Sequence, residues 1–214
     1  MIYNIHTMLF EYYTIAIIGI LAAISPGPDF VVVAKYALAQ NRKNAIMSSL
    51  GIGTGILVHT SYCVLGLALV ISKSLLLFSL IKYLGAAYLI YLGIKSLLSK
   101  SVKASETAAL KLPAVSAFSA FRDGLLTNVL NPKCTLFMLS IFTLVVKPNV
   151  SEWIQASYGI ELSLIAAVWF VFLSYGFTHE VVKKRINKAQ RYVSKIIGTA
   201  LIGLGLLIAF ESHK

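Results

Sequence analysis

The sequence contains few charged residues and almost no cysteine. Charged residues make up 13% of the 214 positions, about half of the fraction that a soluble domain carries. Hydrophobic residues make up 58%, and they lie in long runs rather than in the periodic stripes of soluble helices. Because a membrane-spanning helix needs about 20 mostly apolar residues, these runs exclude a soluble domain and indicate an integral membrane protein.

The two cysteines and the lack of catalytic motifs exclude several kinds of chemistry. Cys63 and Cys134 both lie inside apolar runs, so they predict no disulfide framework, and we interpret them as small buried hydrophobic residues. The segment His179-Glu180-Val-Val-Lys183 departs from the zinc-binding HExxH motif, because lysine cannot replace its second histidine. No nucleophile elbow or phosphate-binding loop occurs in the sequence. We therefore predict no enzyme activity, no metal and no cofactor.

The net charge of +11 comes from basic residues between the apolar runs. Fourteen Lys and Arg residues lie within 35–43, 95–122 and 183–195, and only four lie in the segments on the opposite side. A nucleic-acid-binding domain would gather such charge on one solvated face, whereas this pattern follows the positive-inside rule. We therefore predict no nucleic-acid partner, a lipid bilayer around the chain, and both termini outside the cytoplasm.

Six apolar runs predict six transmembrane helices. The runs cover 10–39, 45–71, 75–98, 117–146, 153–177 and 193–210. The first is interrupted at Ser25-Pro26-Gly27-Pro28 and the fourth around Asn128–Lys133. No Lys or Arg precedes Lys35, so we interpret the first run as a retained span rather than a signal peptide. Aromatic residues near outer span ends are expected to be interfacial anchors, namely Tyr12, Tyr13, Trp153 and Tyr158.

The two interrupted runs divide the chain into similar halves. Pro26 interrupts the first span, and Pro132 interrupts the fourth span 106 residues later. With three spans in each half, the halves insert in opposite directions, as in the inverted repeats of many secondary transporters. The sequence thus predicts an all-α integral membrane fold with six transmembrane helices in two inverted three-helix repeats, of which helices one and four are broken. We place repeat one at 8–98, a cytoplasmic linker at 99–116 and repeat two at 117–212, all in a single domain of residues 1–214.

Each break carries one charged residue, and the two charges have opposite sign. Asp29 follows the first break and Lys133 follows the second. A charge near the bilayer centre costs about 2.5–3.5 kcal/mol, so such residues normally face the protein interior and find a partner. Two interpretations stay open. In the first interpretation, the charges form a salt bridge that holds the halves together. In the second, Asp29 binds a substrate amine or a proton, and Lys133 binds a substrate carboxylate.

Neighbouring polar residues extend this candidate site. Asn128 and Asn131 lie three residues apart, where they either face one side of a helix and hydrogen-bond a zwitterion or cap the broken helix ends. His59 lies in the second span and either relays protons or packs as a buried polar residue. The run Gly51–Gly55 lies inside an apolar helix, so we interpret it as a surface for close helix packing.

Several segments carry the motifs of one known family. The segments are Ile24–Phe30, Asn41–Lys43, Gly51–His59, Lys82–Gly93, Phe121–Gly124, Asn128–Lys133 and Lys195–Gly198. Together they resemble the LysE superfamily, and most closely its homoserine/threonine-exporter branch, the RhtB type. The resemblance covers nearly the whole chain, and the two proline-containing motifs together are specific.

The resemblance implies efflux of amino acids or their derivatives from the bacterial cytoplasm by proton antiport across the plasma (inner) membrane. The implied partners are a proton and a homoserine-like, threonine-like or other neutral amino acid, and a homo-oligomer is left open. The implied substrate and ion site consists of Pro26, Gly27, Pro28, Asp29, Asn128, Asn131, Pro132 and Lys133. The alternative function is a membrane-embedded assembly or redox-relay protein without solute transport.

The chain departs from the family pattern in two places. Asn41 and Asn44 stand where relatives often have glycines in the basic first loop. The usual Pro-Gln-Phe after the second break is absent, and Phe142–Val146 stands there instead. The second difference lies near the predicted outer exit, where it bears on the substrate rather than on the transporter assignment.

Overall fold

The protein is a bundle of α-helices in the computed structural model. The structure describes residues 5–39, 41–73, 75–98, 115–145 and 150–177, together with scattered positions between 192 and 209 that are also helical. The helices are α1 (Ile5–Ile24), α2 (Pro28–Ala39), α3 (Arg42–Lys73), α4 (Leu75–Leu98), α5 (Ala117–Val129), α6 (Pro132–Val145) and α7 (Glu152–Gly176). The all-α prediction is thus confirmed for the described part of the chain.

Within the described part of the chain, three helices are long and apolar enough to cross a bilayer. The spanning stretches are Thr7–Ile24, Arg42–Gly66 and Glu152–Gly176, and α5 with α6 forms a fourth candidate that is bent by 58°. α4 has 24 residues, and the predicted sixth span lies largely outside the described residues. The helices therefore agree with a membrane protein, while the count of six spans stays a prediction.

One side of α7 presents large apolar side chains to the surroundings. Leu164, Val168 and Phe172 are 59%, 68% and 65% exposed, and they recur at every fourth residue. The opposite side, which includes Leu162 and Ala166, is buried where α7 packs against α1, α2 and α3. A contiguous apolar stripe is unfavourable in water but suits hydrocarbon, so this side of α7 is consistent with a membrane protein.

The aromatic residues expected at the membrane interface fall into two groups. Trp153 is largely exposed at the second residue of α7, as an interfacial anchor is, and Tyr13 is also exposed but lies further along its helix, at the ninth residue of α1. Tyr158 is buried instead, and its hydroxyl donates to the carboxylate of Glu11 at 2.6 Å. The anchor prediction was wrong for Tyr158, because a phenol between packed helices finds its partner inside the protein.

α3 lies at the centre of the bundle, where it contacts α2, α4, α5, α6 and α7. Successive glycines of α3 contact two different helices, α5 and α7. A Cβ on Gly51 would meet the backbone of Phe121 in α5, and a Cβ on Gly53 would lie 3.1 Å from Ala167 in α7. Ser163 of α7 also donates to the carbonyl of Gly53 at 2.8 Å. The predicted close packing is confirmed, since the missing side chains let the helix backbones approach each other.

Contacts between the helices establish their relative directions. α1 and α2 run parallel to α7, α3 runs parallel to α5, and α3 runs antiparallel to α7. The contacts Glu11–Tyr158 and Phe30–Phe177 show the first direction. The contacts Asn44–Val115 and Gly55–Asn128 show the second. The contacts Ser49–Ser174 and Thr60–Gly159 show the third, because the residue number rises along α3 while it falls along α7. It follows that α1 is antiparallel to α5, just as α3 is antiparallel to α7.

Replacement of Gly51 by alanine is expected to lower the free energy of unfolding by about 1–3 kcal/mol, the usual cost of overpacking. The added Cβ would meet backbone atoms of α5, among them the nitrogen of Leu125 at 2.8 Å, and backbone cannot move aside as a side chain can. Gly66→Ala on the same helix is the matched control, because nothing lies within 4 Å of a Cβ there. The unfolding midpoint of detergent-purified protein measures both variants, and equal midpoints would contradict the close packing.

Candidate substrate site at the two helix breaks

Each break is followed by a proline at the first residue of a helix. α2 begins at Pro28 and α6 begins at Pro132, a position where the missing N–H is no loss and the fixed φ suits the helix. These prolines lie 104 residues apart, and Pro26 lies in the connection between α1 and α2. Pro26 thus interrupts the first span as predicted, while Pro28 is the proline that matches Pro132 in its position at a helix start.

Asp29 and Lys133 occupy equivalent positions, each as the second residue of its helix. A helix N-terminus favours an acid there and disfavours a lysine. The Nζ of Lys133 reaches across to the first break, where it donates to the carbonyl oxygens of Ser25 at 2.9 Å and Pro26 at 3.3 Å. The lysine thus satisfies backbone carbonyls that have no helical partner in the connection, and lipid offers no other donor.

Asn128 holds Asp29 across the two halves. Its Nδ2 donates to Oδ2 of Asp29 at 2.9 Å. The other carboxylate oxygen, Oδ1, is buried and has no hydrogen-bond partner among the described residues. Asp29 and Lys133, both described, form no ion pair with each other in this conformation, because each is bonded to uncharged groups of the opposite half.

The two asparagines have different positions in the site. The Oδ1 of Asn131 accepts the backbone N–H of Lys133 at 3.0 Å, so Asn131 caps α6. Asn128 is fully buried, and its side-chain amide lies 3.5 Å from the sulfur of Cys134. Gly55 makes room for Asn128, since a Cβ on Gly55 would lie 2.5 Å from Oδ1 of that asparagine.

His59 binds backbone rather than a carboxylate. Its Nε2 lies 3.0 Å from the carbonyl oxygen of Asn128, and its Nδ1 hydrogen-bonds the hydroxyl of Tyr62. Because a carbonyl only accepts, Nε2 carries the proton and Nδ1 accepts from the tyrosine. His59 is fully buried and satisfies a carbonyl at the end of α5. Its role as a proton relay stays a prediction.

A cavity of about 560 Å³, including its opening, lies between the two breaks. The predicted site residues that line the cavity are Gly27, Asp29, Asn128, Asn131 and Lys133. The predicted residues Pro26, Pro28, Pro132 and His59 do not line it, and they support the backbone around it. The residues that the structure describes contain no cluster of three metal-binding side chains.

Part of the lining was missed by the sequence analysis. Cys134 was interpreted only as a buried hydrophobic residue, yet it lines the cavity beside Asn128. The apolar wall was also missed, and it includes Ile56, Phe137, Met138, Leu162, Ala166 and Phe170. No sequence signal distinguishes these residues, because every span is rich in similar side chains.

Comparisons with known proteins cover nearly the whole chain. The LysE type translocator family matches residues 20–212. The threonine efflux protein of Escherichia coli (strain K12) is 32% identical over 202 residues, which cover 93% of this chain and 97% of that protein. The leucine efflux protein of Salmonella choleraesuis is 33% identical over 217 residues, with coverages of 95% and 93%. Uncharacterized membrane protein YrhP of Bacillus subtilis is 34% identical over 197 residues, with coverages of 88% and 93%. No solved structure matches the chain.

Asn128→Asp is expected to destabilise the protein at pH 8 by about 1–3 kcal/mol. The change places a carboxylate oxygen where the amide now donates to Asp29 at 2.9 Å, and two negative charges at that distance repel each other. Lowering the pH to 5 should restore stability, because the two carboxylates then share a proton.

The double variant Asp29→Asn/Asn128→Asp exchanges donor and acceptor and is the matched control. It should recover most of the unfolding midpoint at pH 8. A double variant that is no more stable than Asn128→Asp would contradict the direct hydrogen bond.

Proposed function

Because the chain belongs to the LysE type translocator family, we propose that it exports amino acids from the cytoplasm across the inner membrane of a bacterium. Relatives at about one third identity are named threonine efflux protein and leucine efflux protein, which supports an amino-acid cargo. In this proposal the transporter is a proton antiporter, and its two halves move against each other around the cavity.

One observation carries the proposal, namely that the cavity holds an unused acceptor and an unused donor of opposite charge. The Oδ1 of Asp29 has no hydrogen-bond partner among the described residues. The Nζ of Lys133 uses two of its three N–H groups on backbone carbonyls, which leaves one. Both side chains line the cavity, so a zwitterion can bind with its ammonium at Asp29 and its carboxylate at Lys133.

The helix directions support an inverted repeat. α1 is antiparallel to α5 and α3 is antiparallel to α7, as two three-helix halves of opposite orientation require. The equivalent positions of Asp29 and Lys133 support the same arrangement. With the basic segments on the cytoplasmic side, the termini lie outside, and the linker at 99–116 lies in the cytoplasm.

Asp29 is the proposed site of proton coupling. As a carboxylate it accepts from Asn128 and attracts the substrate ammonium. A proton that enters from outside neutralises Asp29 and removes that attraction, so the substrate leaves. When the proton departs to the cytoplasm, the carboxylate is free to bind the next substrate. Proton and amino acid thus alternate at one group, which is the condition for antiport.

Two tyrosine–carboxylate hydrogen bonds lie on either side of the cavity. Tyr158 of α7 donates to Glu11 of α1 at 2.6 Å, and Tyr36 of α2 donates to Asp123 of α5 at 2.6 Å. Glu11 precedes the cavity-lining part of α1, whereas Tyr36 follows that of α2, so the bonds lie at opposite ends of the cavity. Each bond joins one half to the other. We assign the Tyr158–Glu11 bond to an outer gate and the Tyr36–Asp123 bond to an inner gate that open in turn.

Asp29→Asn is expected to abolish proton-driven export, because it removes the carboxylate at which proton and substrate alternate. Lys133→Met is expected to reduce export about tenfold to a hundredfold, because it removes one charge-assisted hydrogen bond to the zwitterion. The measurement is export of radiolabelled amino acids from proteoliposomes under an imposed pH gradient. Glu152→Gln is the control, since Glu152 is exposed at the beginning of α7, and it should export normally. Unchanged export in both site variants would contradict the proposed site. A wild-type protein without counterflow for any amino acid would favour the assembly or redox-relay function.

Tyr158→Phe and Tyr36→Phe are expected to open the cavity toward opposite sides, because each removes only the hydroxyl of one gate. Native Cys134 reports the opening, since it lines the cavity, in a Cys63→Ala background. A membrane-impermeant maleimide should label Cys134 faster from outside in Tyr158→Phe cells. It should label faster from the cytoplasmic side in inside-out vesicles of Tyr36→Phe. Tyr13→Phe at an exposed position is the control, and labelling rates equal to the control in both variants would contradict the gates.

A further inference from the structure

The cavity is polar at one end and apolar at the other. Among the described residues that line it, every polar side chain comes from one of the two breaks or lies within a turn of it, namely Ser25, Asp29, Asn128, Asn131, Lys133 and Cys134. The remaining lining consists of glycine, alanine and larger apolar residues. A bound molecule therefore meets charges and amides only at the breaks.

The apolar end extends from the breaks toward the beginning of α1. Gly19 lines the cavity six residues before Ser25, roughly 9 Å along the helix. A Cβ on Gly19 would lie 2.6 Å from Leu162, which lines the cavity from α7. Phe137 and Met138 of α6 lie in the same direction, because α6 continues α5 with a bend of 58° and α5 is antiparallel to α1.

None of the described residues that line this end carries a group that could bind a polar substrate side chain. Leu162, Ala166 and Phe170 recur at every fourth residue of α7 and are all buried, so that helix presents a continuous apolar face to the cavity. Their backbone groups are used within the helix. A hydroxyl or amide placed here would lose its water without gaining a partner.

We infer that the site selects amino acids with aliphatic or thioether side chains over those that carry a hydroxyl or an amide. The inference rests on the proposed amino-acid export and names the substrate class of that same site. The ammonium and the carboxylate bind at the breaks, and the side chain extends toward Met138 and Leu162.

Valine and threonine are the most direct pair of probes, because they have nearly the same shape and threonine has a hydroxyl where valine has a methyl group. Apolar pockets discriminate against an added hydroxyl by up to about a hundredfold. The half-saturating concentration of valine is therefore expected to be about tenfold to a hundredfold below that of threonine.

Counterflow of radiolabelled valine and of radiolabelled threonine in proteoliposomes of the wild-type protein tests this expectation. Equal half-saturating concentrations, or a lower one for threonine, would overturn the substrate class while leaving amino-acid export intact. Absence of counterflow for every amino acid would instead overturn the proposed export, and the substrate class with it.

Met138→Gln tests the apolar wall itself, because it keeps the length of the side chain and supplies an amide that can bond a substrate hydroxyl. The half-saturating concentration of threonine divided by that of valine should fall about threefold to tenfold. This is the effect expected when the threonine hydroxyl gains one hydrogen bond. Met47→Gln is the matched control, since Met47 packs against the core but does not line the cavity.

Phe137→Tyr is a second variant that adds only one hydroxyl to the wall, in case the glutamine impairs folding. A fall in the ratio in either wall variant, with the control unchanged, supports the wall as the selective element. An unchanged ratio in both folded wall variants would overturn it.

Discussion

The two hydrogen bonds from Lys133 to the carbonyls of Ser25 and Pro26 connect the second helix break to the first. The candidate site between the two breaks depends on this connection. Hydrocarbon offers no donor to a backbone carbonyl that has left its helix, so a broken helix survives only where protein or a wet cavity satisfies it. Here the second half of the chain supplies the donor for the first. The reverse support comes from His59 of the first half, which bonds the carbonyl of Asn128 at the second break. Each break thus receives a hydrogen bond from the other half, and the carbonyl of Asn128 also accepts the backbone N–H of Asn131 at 2.9 Å.

This reciprocal support requires the halves to approach closely, and the glycines of α3 make that approach feasible. Gly51 lets α3 touch the backbone of α5, and Gly55 leaves the space that Asn128 occupies. Asn128 can then extend toward Asp29. The glycines of α3 thus allow both the close contact between α3 and α5 and the position of Asn128 in the site. A transporter that rocks one half against the other must do so around this crossing rather than by separating it.

The sequence predicted the elements of the fold well, for reasons that are physical. Apolar runs and their interruptions reveal where helices begin and end, and the run 75–98 coincides with α4 (Leu75–Leu98). Charges in apolar surroundings are costly, so Asp29 and Lys133 were recognisable as site candidates. Their partners were not, because an asparagine opposite Asp29 and two carbonyls opposite Lys133 depend on three-dimensional packing.

The apolar wall and the position of Tyr158 were beyond sequence reasoning for a related reason. In water, a buried face and an exposed face differ in polarity, and that contrast produces a readable period. In lipid both faces are apolar, so Leu162 in the cavity wall and Leu164 on the exposed side carry the same signal although one is buried and the other is 59% exposed.

The separation of Asp29 from Lys133 bears directly on how such a site can work. A direct salt bridge would satisfy both charges internally, and a zwitterion would then have to break it before binding. In this conformation neutral groups hold each charge, the amide of Asn128 for the carboxylate and two carbonyls for the ammonium. In the proposed binding mode an amine and a carboxylate therefore bind without either charged group giving up its present hydrogen bonds. In the proposed cycle the emptied site still contains a buried carboxylate oxygen without a partner, which is costly to keep ionised in an apolar environment. A proton removes that cost, so the same geometry that accepts the amino acid also favours a proton once the amino acid has left.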